Sequence, residues 1–272
     1  MTYFSFLFYF VLTPAILFTL LVRPTRREWA ALGMLAILTY GWTTPWDNYL
    51  VGSGVWYYDP QLVSGLVFGW VPLEEYLFFG LQCWMTSLWT LGLIRAISRQ
   101  DAKAPSLILL GLVYVGVLVF AFSPLRPVTL SPLPAASVPS TDLPPLPFGQ
   151  WNYLVLILGW ALPVIAGQAF LGYGAFRAHW QAYLLGCLIP ALYLTALDSL
   201  AIGSGTWTIA PSQSVNVFLP GGVPIEEGVF FLVTNLMVVQ GWLLFTSPIA
   251  HARIFSLLGR KLKDDGRTLA LP

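Results

Sequence analysis

Long apolar runs separated by short polar or proline-rich breaks set the pattern of the chain. Runs of about 20 apolar residues, enough to cross a bilayer, fall near 3–22, 29–50, 66–94, 105–123, 151–173, 180–202 and 222–246. This predicts an all-α integral membrane protein with seven transmembrane helices. Between the fourth and fifth runs, Pro132, Pro134, Pro139, Pro144, Pro145 and Pro147 crowd a stretch that cannot continue a helix, so it reads as an exposed linker. The first run has no charged segment before it and no small-residue cleavage site after it, and is expected to remain a helix rather than be removed as a signal peptide.

Composition agrees. Of 272 residues, 57% are hydrophobic and only 9% charged, against about a quarter charged in soluble domains. A net charge of +1 leaves no basic surface for nucleic acid. The charges also orient the chain. Arg23, Arg26 and Arg27 follow the first run, and Arg95, Arg99 and Lys103 the third. Arg177 follows the fifth, and Arg253, Arg260, Lys261, Lys263 and Arg267 the last, so all of these share one side. Only Arg126, in the linker, lies opposite. The positive-inside rule then predicts a multi-pass protein of the cell membrane with its N-terminus outside and its C-terminus cytoplasmic. The basic stretch after Arg253 is expected at the cytoplasmic headgroups. Cys83 and Cys187 sit in apolar runs and read as buried small hydrophobes. His179 and His251 stand beside arginines with no metal-ligand spacing, so no metal site is expected.

The strongest signal is a repeat. Asp47, Gly52-Ser53-Gly54 with Trp56, and Pro72-Leu73-Glu74-Glu75 leading into Phe78-Phe79 recur as Asp198, Gly203-Ser204-Gly205 with Trp207, and Pro224-Ile225-Glu226-Glu227 leading into Phe230-Phe231. The offset is 151 at the aspartate and 152 at the glutamate pair. The predicted organisation is a first three-helix repeat at 1–96, a linking helix and proline-rich linker at 97–150, a second three-helix repeat at 151–247, and a basic cytoplasmic tail at 248–272. With an odd helix between them the repeats run parallel, and are expected to pack about an axis along the membrane normal with a shared cavity.

Inside this greasy frame stand six carboxyl groups, Asp47, Glu74, Glu75, Asp198, Glu226 and Glu227, and no lysine or arginine lies in any predicted span. Acids at membrane depth are costly and usually functional. Without counter-charges some are expected to hold their protons at neutral pH, while the first-turn positions after Pro72 and Pro224 favour the ionised form. One acid and one base is the expected outcome. The competing reading of first-turn glutamates as plain helix caps is weakened by their occurring in two matched pairs, each beside a matched aspartate. Neighbours in a helix point about 100° apart. Glu75 leads along its face to Gln82 and Thr86 and Glu227 to Thr234, whereas Glu74 leads to Leu81 and Met85 and Glu226 to Val233 and Met237. Glu74 and Glu226 are therefore expected to face an apolar substrate cavity, with Glu75 and Glu227 in interhelical hydrogen bonds. Asp47 and Asp198 are placed to hydrogen-bond a glutamate and set its protonation state. The GSG-x-W elements read as re-entrant or surface turns. Trp29, Trp151, Trp180 and Trp242 read as interfacial belt. Trp46, Tyr49, Trp56, Trp70, Phe78, Phe79, Trp207, Phe230 and Phe231 cluster around the acids, where aromatic faces would steady a cation.

The repeated Pro-x-Glu-Glu with Phe-Phe, preceded by Asp and GSG-x-W, resembles the membrane-embedded carotenoid (lycopene) cyclases, in the form that fuses two three-span units in one chain. The likeness covers roughly 1–95 and 150–247. It implies cyclisation of a lipophilic linear polyene, lycopene or a relative, without redox change: an acid protonates the terminal C1=C2 bond, the C5=C6 bond attacks the cation, and proton loss completes the ring. The motif itself leaves β, ε and γ rings open, with β the expected product. Glu74, Glu75, Glu226 and Glu227 become the acid and base candidates, and no cofactor is implied, as no GxGxxG fingerprint is present. Tyr76 against Gly228 shows that the copies are not equivalent. The alternative reading is a proton-coupled transporter, which also carries repeats and buried acids, but the spans lack polar midplane breaks for a solute. A retinal protein is excluded because Lys103, Lys261 and Lys263 are the only lysines and none lies in a span. A prenyl transferase would need Asp-rich clusters and basic residues for diphosphate, and those basic partners are missing.

Overall fold

The computed structural model describes residues 1–98 and 142–259. The span expected at 105–123, most of the proline-rich linker, and Arg99, Lys103, Arg126, Arg260, Lys261, Lys263 and Arg267 lie outside the described residues. Helix α1 spans Tyr3–Val22, α2 Arg26–Gly52, α3 Leu73–Ser98, α4 Asn152–Ala178, α5 Trp180–Gly203, α6 Ile225–Thr246 and α7 Pro248–Leu257. Among the described residues five helices are long and apolar enough to cross a membrane: Tyr3–Val22, Leu73–Ser98, Gly149–Ala178, Trp180–Gly203 and Ile225–Thr246. Helix α2 forms where the second span is expected. It is less apolar, with Arg26, Arg27 and Glu28 in its first turn and Thr39, Thr43, Thr44, Asp47 and Asn48 along it.

Helices α3 and α6 form the centre, with 67% and 61% of their most apolar stretches buried against 17% for α4 on the periphery. Their seam is held by buried polar pairs: Gln82 Nε2 donates to Thr234 Oγ1 at 3.0 Å, and Thr86 Oγ1 to Asn235 Oδ1 at 2.6 Å. In an apolar surrounding such groups have to find partners inside the protein. Outward-facing Leu20, Ile37, Phe170 and Leu192, each more than 60% exposed, give the exterior the apolar character that hydrocarbon requires. Pro14 shows the same bookkeeping of backbone groups. It cannot donate to the carbonyl of Phe10, the helix takes a π-helical turn at Leu7–Leu12, and the Phe10 carbonyl accepts from Tyr193 Oη at 2.7 Å. At the opposite end of α2 from Asp47, Arg95 grips Glu28 at 2.7 Å and the Val22 carbonyl at 2.5 Å, and Thr25 and Glu28 close a capping box.

Strand structure, which the hydropathy pattern does not predict, builds the lid over this bundle. Val67–Phe68 (β2) pairs with Val71–Pro72 (β3), and Phe218–Leu219 (β5) with Val223–Pro224 (β6). These hairpins delay the helices to Leu73 and Ile225, so Pro224 is the N-cap of α6 instead of its first helical residue. The two GSG turns differ: Gly52-Ser53-Gly54 is buried, whereas Gly203 and Ser204 are exposed, as expected of a surface turn. Trp56–Tyr58 (β1) pairs antiparallel with Trp207–Ile209 (β4), Trp56 opposite Ile209 and Tyr58 opposite Trp207. Apolar side chains on both strands drive them inward, where pairing satisfies their backbone. Trp242 also departs from expectation. It is fully buried against Leu35, Leu88 and Val238 and is no belt residue, whereas Trp29, Trp151 and Trp180 are exposed. Cys83 and Cys187 are buried free thiols.

Candidate active site

Glu75 and Glu227, second in their respective pairs, converge on one small cavity. Glu75 Oε2 accepts from Tyr3 Oη at 2.5 Å and from Tyr58 Oη at 2.9 Å. Glu227 Oε1 accepts from Tyr153 Oη at 2.7 Å. Their first-turn positions on α3 and α6 aim both at the seam under the β1–β4 ladder, so groups 152 residues apart in sequence share one small space. Burial, and then the neighbouring Glu75 carboxylate, push the Tyr58 hydroxyl well above the ordinary tyrosine value, so it remains a donor throughout the physiological range.

The faces are the reverse of the helical-wheel expectation. Glu74 turns back to the preceding loop, where Ser64 N donates to Oε1 at 2.5 Å and Ser64 Oγ to Oε2 at 3.1 Å. Glu226 does the same with Val215 N at 2.6 Å. Both loops fold back under the hairpins and bring amide groups into the protein, and the nearest carboxylate satisfies them. Glu75 and Glu227 do make the interhelical bonds expected of them, but they also line the cavity, which Glu74 and Glu226 do not. Both aspartates are buried. Asp198 lines the cavity and accepts from Trp207 Nε1 at 2.8 Å, a partner other than the expected glutamate. Asp47 is not among the lining groups. Asp47 Oδ2, Asp198 Oδ2 and Glu226 Oε2 are buried without a hydrogen-bond partner. Among the described residues the one ion pair is Arg95–Glu28, so none of the six acids meets a cation.

Aromatic rings close the cavity, and each wall is built by exchange between the two ends of the chain. Trp207 packs on Tyr3, ring centroids 4.9 Å apart, and Trp56 packs edge-on to Tyr153 at 5.3 Å. Phe78, Phe230 and Phe231 complete the lining. Trp46 stands one layer out, stacked on Trp160 at 4.3 Å and on Phe230 at 5.8 Å. Tyr49 and Trp70 do not join: they turn to the end of the linker, where Tyr49 Oη donates to the Pro144 carbonyl and Trp70 Nε1 to Asp142. The cavity holds about 30 Å³, room for about one or two waters. Beside it lies a groove of about 900 Å³, lined by α2, α3, α4, α6 and α7 from Thr43 and Phe79 down to Ile254 and Phe255. Phe230 lines both spaces. The groove wall is mostly apolar, with Thr39, Thr43, Gln82, Gln168, Thr234 and His251 its polar groups. A long hydrocarbon can lie there with one end against Phe230, which separates it from the acids.

Tyr3, Tyr58 and Tyr153, which bond the cavity glutamates, are the lining residues that the sequence reading does not single out. A signal for two of them exists: Tyr3 and Tyr153 each open the first helix of their half and stand 150 residues apart. Tyr58 has Ile209 at the matching position and leaves no such trace.

The chain is similar to a protein named lycopene beta-cyclase from Halobacterium salinarum, 33% identical over 84% of this chain and 87% of that protein. It is also similar to the bifunctional lycopene cyclase/phytoene synthases of Arthroderma gypseum, 34% identical over 85% of this chain, and Phaeosphaeria nodorum, 32% over 92%. In those two longer proteins the match covers 39% and 42% of the length. No protein-family model matches the chain, and no solved structure matches it.

Proposed function

Because the chain belongs to the lycopene cyclase family, an enzyme family of carotenoid biosynthesis, we propose that it closes the linear ends of lycopene into β rings by acid–base chemistry without net redox change, as an intramolecular lyase. The observation that carries this reading is the convergence of Glu75 and Glu227 on one aromatic cavity beside a 900 Å³ apolar groove. Protonating an alkene needs an acid shielded from water, and the cation that follows has to be kept from water as well. Buried carboxyl groups with no cation nearby, faced by Trp56, Trp207 and Phe230, meet both needs. The groove takes the rest of the polyene, and Phe230, standing between groove and cavity, has to swing aside for the reacting end, since about 30 Å³ is too small for a six-membered ring. Of the six acids, Glu75 and Glu227 act on substrate. Asp198 supports them from the cavity wall, Glu74 and Glu226 fix the loops above it, and Asp47 lies buried in α2 behind them. The architecture that goes with this reading is seven spans in two parallel three-helix repeats, in the cell membrane, N-terminus outside.

Expression in cells that accumulate lycopene, followed by chromatography of the pigments, tests the reading. Conversion to β-ringed carotene is expected, and Glu75→Gln or Glu227→Gln is expected to reduce it about 10²–10⁴-fold, the usual worth of a general acid or base. Unchanged lycopene beside well-expressed protein would overturn it.

A further inference from the structure

The two cavity glutamates match in position but not in hydrogen bonding. Resting on the cyclase reading above, we propose that this difference divides the chemistry: Glu227 delivers the proton that starts ring closure, Glu75 takes up the proton that ends it, and Tyr58 is the positioning residue that fixes Glu75 as the acceptor. The direction of one hydrogen-bond chain carries the assignment. An indole N–H can only donate. Trp56 Nε1 lies 3.0 Å from Tyr58 Oη, so that oxygen accepts from the indole and its own hydrogen is directed to Glu75 Oε2 at 2.9 Å. Tyr3 Oη meets the same carboxyl oxygen. An oxygen receiving two hydroxyl donors is held as an acceptor, which is the state a base needs. In the other half Tyr58 is replaced by Ile209, at the offset of 151 that relates Trp56 to Trp207. Trp207 spends its N–H on Asp198 instead. Glu227 is left with Tyr153 alone, a hydroxyl that can donate or accept, so its carboxyl group is free to carry a proton into the cavity.

The steps balance. Glu227 adds its proton to C2 of the terminal C1=C2 bond, becomes a carboxylate, and leaves a tertiary cation at C1. The electron pair of C5=C6 forms the C1–C6 bond and moves the cation to C5. Glu75 removes the proton at C6, and the C–H pair becomes the new C5=C6 bond of a β ring. The proton then returns from Glu75 to Glu227 through the space they share, exchanging with solvent between turnovers, so no oxidant or reductant is required.

The test compares Glu227→Gln, Glu75→Gln and Tyr58→Phe in lycopene-accumulating cells, with pigments resolved by chromatography and mass and the amount of folded protein measured alongside. Glu227→Gln is expected to lower lycopene consumption at least about 100-fold. Glu75→Gln is expected to keep measurable consumption while its product moves to rings that have lost a different proton or captured water. Tyr58→Phe is expected to show the same product shift to a lesser degree, with consumption within about fivefold of wild type, the worth of one hydrogen bond. A reversed pattern between the two glutamates, or equal losses with no change of product, overturns the division but leaves the acid–base reading standing. A wild-type product ratio in Tyr58→Phe overturns the role of Tyr58. Wild-type consumption in both glutamate variants overturns the cyclase site itself.

Discussion

One position separates Glu74 from Glu75, yet the first is claimed by the Ser64 amide and hydroxyl and the second by tyrosine hydroxyls at a cavity. Glu74→Ala removes the acceptor that the Ser64 amide and hydroxyl share and is expected to cost about 1–3 kcal/mol, the worth of hydrogen bonds to a charged group. This would be read as a lower unfolding temperature in detergent, while the protein that remains folded still closes rings. Activity lost in proportion to Glu75→Gln, without loss of stability, would give Glu74 a chemical role instead. That these acids form a buried set was legible from their repetition in apolar runs without cations. Which of each pair faces the cavity was not, because a helical wheel sees only its own helix, and the choice is made by loops that fold back from 59–66 and 210–217. The tyrosines were hidden for another reason: an aromatic at the mouth of an apolar run reads as interfacial belt, and only the fold brings Tyr3 and Tyr153 to the glutamates.

At the scale of elements, helices long enough to span were legible throughout the described residues, since their apolar runs exceed anything a soluble helix needs. The hairpins at Val67–Phe68 and Phe218–Leu219 were not, because two-residue strands of apolar side chains cannot be told from the start of an apolar helix. Helix α7 was read only as tail, being short and mixed in composition, yet Ile254 and Phe255 close one end of the groove. If that groove holds the polyene, filling it blocks turnover without touching the acids. Val164→Trp, placed in its wall, is expected to cut conversion of lycopene at least about 10-fold, more than the loss of one good contact, with folded protein at wild-type level. Conversion at the wild-type rate would move the substrate elsewhere.

Over the whole molecule, the β1–β4 ladder and the crossed packing of Trp56 on Tyr153 and Trp207 on Tyr3 mean that neither half can form its glutamate pocket alone. In the proposed orientation, which rests on the loop charges, the ladder lies outside. A single cysteine introduced at exposed Gln61 is therefore expected to react with a membrane-impermeant thiol reagent on intact cells, and one at exposed Ser256 only after lysis, with the buried Cys83 and Cys187 silent. The opposite labelling would invert the chain. The recurrence of the Asp, GSG-x-W and Pro-x-Glu-Glu motifs could be read from residues alone. The interlock could not, because it depends on strand pairing between segments 151 residues apart. The most direct measurement of the central claim, that carboxyl groups in this cavity start ring closure by giving a proton to a hydrocarbon, is to run the reaction in membranes suspended in D₂O and weigh the product. One deuterium at C2 for each ring formed, with no added electron donor or acceptor, is the predicted result; rings formed without deuterium, or only when a redox partner is supplied, would contradict it.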